Sequence, residues 1–179
     1  MGIPVETGDG RLQTGGVTTV VRAGFTRPAD TTQYTAADIV SDSTAAGHPL
    51  VFRDCARFDG GTGIIYSAML FISTDAATNP NFDLVLFDSA AITIAADNAA
   101  GTVTDAQALQ CVAAITFDGT NSTNVATVGA NLIVKATGLG QVFKCASGDR
   151  ALYGIVVDRG AYTPASAEII TFKLGILQD

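Results

Sequence analysis

The acid–base chemistry open to this chain runs through one imidazole. His48 is the sole histidine, set in the loop-like run Ala46-Gly47-His48-Pro49. Acyl transfer by Ser-His-Asp or Cys-His groups needs a base held by an orienting partner beside a nucleophile. Only His48 could serve, and no Gly-x-Ser-x-Gly elbow presents a serine to it. It reads as a solvated loop residue. The 17 carboxylates permit the other common scheme, an acid pair across a glycosidic bond. Yet Asp30, Asp42, Asp59, Asp75, Asp118 and Asp149 stand in turn contexts, where Asp caps its own backbone. Sugar binding also favours flat aromatic platforms, and tryptophan is absent. The run Asp118 to Asn124 (DGTNSTN) is rich in oxygen ligands but lacks the spacing of a calcium loop, so a turn is expected. Cys55, Cys111 and Cys145 are far apart, without CxxC spacing, and read as reduced, small core residues on strands. No catalytic residue, metal site or cofactor is expected.

The surrounding pattern is one of strands. Val17–Phe25, Pro49–Phe58, Gly63–Ser73, Phe82–Phe87, Cys111–Phe117, Asn131–Lys135, Gln141–Cys145, Ala151–Val157 and Glu168–Leu177 are short apolar runs bounded by turn formers. Among the turns are Asp59-Gly60-Gly61-Thr62-Gly63, Asn79-Pro80-Asn81 and Asp118-Gly119-Thr120-Asn121. One helical turn is expected over Thr104–Gln110, where Thr104 can cap good helix formers. Helices do not alternate with strands, which excludes a parallel α/β sheet. The expected fold is an all-β, antiparallel, jelly-roll-like sandwich with at most one short helix. It occupies residues 17–179 as a single domain, preceded by a glycine-rich flexible N-terminal arm over residues 1–16. The arm's candidate contacts with a neighbouring subunit are Met1, Gly2, Ile3, Pro4, Val5, Arg11 and Leu12.

Composition narrows the function classes. Apolar residues make up 47% and charged residues 15% of the 179, against about 25% charged in an average domain. Such a surface suits a subunit packed among neighbours. The net charge of −7 and the scattering of ten Lys and Arg argue against nucleic-acid and anionic-membrane partners. No secretory signal pattern and no apolar run of membrane-spanning length is read, so synthesis in a cytoplasm is expected.

Three blocks carry a family likeness: Phe25–Asp42 (FTRPADTTQYTAADIVSD), Leu86–Ala100 (LFDSAAITIAADNAA) and Leu152–Gln178 (LYGIVVDRGAYTPASAEIITFKLGILQ). In them the chain resembles virion structural proteins of tailed bacteriophages. The resemblance implies a head decoration (cement) protein located on the capsid surface, with the major capsid protein and further copies of itself as partners. A tail or fibre-associated host-recognition module that binds a glycan or receptor stays open beside it. Within the blocks, Pro28 fixes φ for a turn, Arg27 is held extended, and Tyr34 is expected to anchor that turn on the sandwich. Tyr162-Thr163-Pro164-Ala165 is expected to close a hairpin between the Leu152 strand and the last strand.

Overall fold

The computed structural model of the chain describes residues 16–74, 78–136 and 139–179. The arm contacts expected at Met1, Gly2, Ile3, Pro4, Val5, Arg11 and Leu12 lie outside them, as does Asp75.

The described chain is an antiparallel two-sheet β-sandwich. Its strands are β1 (Val17–Thr26), β2 (Asp38–Val40), β3 (Leu50–Phe52), β4 (Thr62–Ile72), β5 (Asn81–Phe87) and β6 (Ala99–Ala100), then β7 (Cys111–Asp118), β8 (Val125–Val128), β9 (Asn131–Lys135), β10 (Gln141–Lys144), β11 (Leu152–Asp158) and β12 (Ile169–Gln178). One sheet runs β1-β12-β4-β9-β8, with β10 also on β4; the other runs β6-β2-β11-β5-β7, with β3 also on β11. The inner faces interdigitate through alternate residues. Ile65, Leu70, Phe172 and Leu174 of the first sheet meet Phe82, Leu84, Ile115 and Phe117 of the second. Phe117 and Phe172 touch edge to face at 5.3 Å between ring centroids.

Between β6 and β7 lies α1 (Asp105–Ala108), opened by a capping box: the Thr104 side chain accepts from Gln107 N, and the Gln107 side chain accepts from Thr104 N. The short strands β2, β6 and β8, of three, two and four residues, are too brief to show an alternation in the sequence. They exist because longer neighbours pair with them.

Three expectations are corrected. The strand read over Pro49–Phe58 ends at Phe52, because Asp54 turns to a φ of 57° and breaks the alternation. The hairpin expected between the Leu152 strand and the last strand does not form, since β11 and β12 belong to opposite sheets. Both strands have apolar faces to bury, and placing them on opposite sides of the core buries both at once. Of the cysteines read as small core residues on strands, Cys55 and Cys145 do join the main core, but neither lies on a strand. Cys55 and Cys145 are buried beyond the ends of strands, while Cys111, on β7, is exposed.

Candidate interaction surface

The two outer faces of the sandwich have opposite fates. Over the β5–β11 sheet the chain builds its own roof. Ile92 and Ile94, from the connection after β5, pack on Ile39, Phe87 and Ile155 in a second small core, with Val103 and Val157 at its margin. The side chain of Gln107 ties α1 to this roof by donating to Ala91 O and Thr93 Oγ1, both at 3.2 Å.

The β1-β12-β4-β9-β8 sheet has no such cover among the described residues. Its outward positions follow the pleat. Val20, Ile64, Tyr66, Met69, Val128, Val142, Ile169 and Leu177 all stand exposed on it, and among the described residues only Val17, Phe58 and Leu109 are large exposed apolar residues elsewhere. The register of β12 on β4 shifts between Gly175 and Ile176, and the end of the Tyr66 side chain lies over Gly175. Gly175 makes this possible, since a Cβ there would stand 2.2 Å from Ser67 Oγ and 2.9 Å from the Tyr66 ring.

Charge on the open face has one sign. Register pairs Arg22 with Lys173, Lys173 with Met69, and Met69 with Lys135. A single rung therefore reads Arg-Lys-Met-Lys across four strands, about 14 Å from end to end. Lys144 of β10 points the same way, so all three lysines of the chain share this face. Like charges directly across a ladder repel. Lys173 leans onto Phe71, its Nζ 5.7 Å from the ring centroid. No carboxylate projects from the described positions around the rung. Asp179, hydrogen-bonded to Thr62 Oγ1 at 3.0 Å, stands at the far corner, about 20 Å along the strand from Lys173. A shallow apolar groove lined by Phe71, Val128, Ile133 and Ile169 lies beside the rung.

A buried polar pin holds one end of the sandwich. Arg27 Nε donates to Tyr34 Oη, Arg27 NH2 donates to Asp97 Oδ2 at 2.6 Å, and Tyr34 Oη donates to Asp97 Oδ1 at 2.6 Å. Ser41 N also donates to Asp97 Oδ1, at 2.8 Å. Burial opposes the Arg27 charge, but Tyr34 and Asp97 outweigh it and raise its pKa. Tyr34 stacks on Tyr162, whose hydroxyl donates to Glu168 Oε2 at 2.6 Å. Tyr34 is thus the expected anchor of its turn. No local signal marks Arg27 and Asp97 as a buried ion pair, because they stand 70 residues apart.

The residues weighed for chemistry are engaged in structure. His48 Nδ1 meets Asp42 Oδ2 at 2.8 Å, an orienting contact of the kind a catalytic base uses, but its side chain is 77% exposed on a turn. No serine or cysteine is bonded to its other ring nitrogen among the described residues. Asp118 Oδ1 accepts from Thr120 N and Oγ1, which holds its pKa low, and Asn121 caps the following 3-10 turn. Burial raises the thiol of Cys55 to about 12 and that of Cys145 to about 11, far from a reactive thiolate. No group of three His, Cys, Asp or Glu placed to hold a metal occurs among the described residues.

The signal for the cationic rung was faint but present. Lysine is depleted in strands, yet Lys135, Lys144 and Lys173 each fall inside a strand candidate. Register alone brings them together.

No family model matches the chain. No curated protein matches it. Among solved structures it is similar to a chain described as "Cyanophage Pam1 capsid asymmetric unit", at 17% identity over 98% of both chains with a TM-score of 0.36. That likeness is too low to establish a shared fold.

Proposed function

We propose that this protein is a non-enzymatic structural subunit of a phage virion, of the head decoration (cement) type, and that its open sheet face is buried against neighbours in the assembled particle. The observation that carries the reading is the contrast between the two outer faces. The chain covers one with its own roof and leaves the other open, with exposed apolar residues around a cationic rung and its one described carboxylate, Asp179, at a corner. Large exposed apolar patches on soluble proteins mark interaction surfaces. With β4 eleven residues long and five strands abreast, the face measures roughly 36 by 20 Å, close to the about 800 Å² per partner of a standard interface. The tailed-phage resemblance of Phe25–Asp42, Leu86–Ala100 and Leu152–Gln178 supplies the virion setting. The strand order, with successive strands crossing between sheets, reads as jelly-roll-like.

The mechanism is mechanical. Packaged nucleic acid presses a shell outward, and a decoration subunit adds buried contact across junctions. Many modest contacts on a symmetric shell reinforce one another through effective concentration. The net charge of −7 keeps the free subunit soluble and off nucleic acid. The arm, residues 1–16, is proposed to reach over a neighbouring subunit through residues such as Ile3, Val5 and Leu12. Reconstructions of particles assembled with and without the protein test the reading. Density for the sandwich on the shell is expected, and its absence from the head would sink the decoration role. Isolated protein that captures glycans on an array would point to host recognition instead.

A further inference from the structure

Resting on the open face as an assembly surface, we infer that its occupant is a second copy of this chain, docked head to tail by the side that carries α1. A two-fold contact of open face on open face centred on the Arg22-Lys173-Met69-Lys135 rung would lay it against its own copy, cation on cation. The charge pattern disfavours that symmetry. The complement is on the chain's other side. Leu109, which ends α1, is 89% exposed, the most exposed large apolar side chain of the described residues. Asp105 lies one helical turn before it, joined through the 3.2 Å bond from Leu109 N to Asp105 O. Asp88 is brought alongside by the 3.1 Å bond from its backbone N to Gln110 O. An apolar knob thus stands one helical turn from the Asp105 carboxylate, with the backbone of Asp88 paired beside it.

The open face offers the opposite charge beside an apolar hollow: Met69 between Lys173 and Lys135, with the groove of Phe71, Val128, Ile133 and Ile169 beyond them. Leu109 of one copy fills this groove, and the Asp105 carboxylate on the same helix meets the lysines. The repulsion between Arg22 and Lys173 is relieved by the incoming charge. Because the two patches differ, the contact is heterologous and propagates into a closed ring or an open chain.

The experiment is sedimentation velocity of the full chain at about 100 μM, in low and high salt, for wild type, Leu109→Glu and Met69→Glu. Both positions are exposed, and unchanged circular dichroism checks that the variants fold. Wild type is expected to form species larger than the monomer, with association roughly tenfold weaker in high salt. Each variant alone is expected to be monomeric. An equimolar mixture is expected to stop at one heterodimer, since it contains one intact knob and one intact groove. A monomeric wild type, an associated Leu109→Glu, or a mixture without heterodimer would each overturn the inference. Shell attachment separates this from the broader reading. If wild type is monomeric but Met69→Glu abolishes attachment to shells, the face serves assembly with another partner. If attachment survives Met69→Glu, the open face is not the assembly surface.

Discussion

At the scale of single residues, the most consequential contact is the ion pair of Arg27 with Asp97, both side chains essentially inaccessible to solvent. Removing one partner of a buried pair leaves the other charge uncompensated, at a cost of about 3–5 kcal/mol, whereas replacing both with apolar residues costs less. Asp97→Asn is therefore expected to lower the denaturant midpoint sharply, and the double variant Arg27→Met with Asp97→Leu to recover part of the loss. Asp158 makes the second residue-scale prediction. Burial raises its pKa to about 6, against the backbone N–H of Gly160 and Tyr162 that favour its charge, and Asp38 adds repulsion. Its folded pKa lies above the ordinary value of 3.8, so the fold holds this proton more tightly than the unfolded chain does. The stabilisation is complete below pH about 4 and is lost as pH rises through about 6. Asp158→Asn mimics the protonated group. It is expected to flatten this part of the stability–pH curve and to raise stability at pH 7 by about 1 kcal/mol, read by urea unfolding across pH 4 to 7.

At the scale of elements, the roof and the main sandwich are separate apolar clusters, and separate clusters can open separately. Ile94→Ala, in the roof, is expected to speed hydrogen exchange across residues 88–110 while β12 keeps its protection. A uniform loss across both sheets would show the roof to be part of one cooperative unit. The long strands were legible because their alternation is complete: Phe82, Leu84 and Leu86 point inward on β5 as their spacing requires. The strand read beyond Phe52 failed because Asp54 takes a left-handed backbone conformation, after which Cys55 N and Ala56 N donate to the Arg150 carbonyl, an arrangement with no period to detect.

At the scale of the whole molecule, the proposed burial of one face rests on the uneven cover of the two sheets and the gathering of lysines on one of them. Amine-reactive labelling of free protein and of intact particles, read by mass spectrometry, checks this. Lys135, Lys144 and Lys173 are expected to react in the free subunit and to be protected together in particles. Equal reactivity in both states would sink the burial of the open face. Deleting residues 1–16 is expected to weaken attachment to shells without lowering the melting temperature of the sandwich. Attachment equal to the full chain's would remove the arm from the proposed interface.

The sequence by itself determined the class of the fold and the spread of its chemistry. Period-two apolar runs can be satisfied only in sheets with one buried face, and turn-bound carboxylates, an isolated histidine and unpaired cysteines follow from composition and spacing. What only the tertiary structure decided is which strands are neighbours. Register put Arg22, Lys173, Met69 and Lys135 on one rung, and long-range packing sent Arg27 to Asp97 and the 88–110 connection over one sheet but not the other. These are contacts between residues far apart in the chain, chosen by the global burial of apolar surface, and no local pattern encodes them.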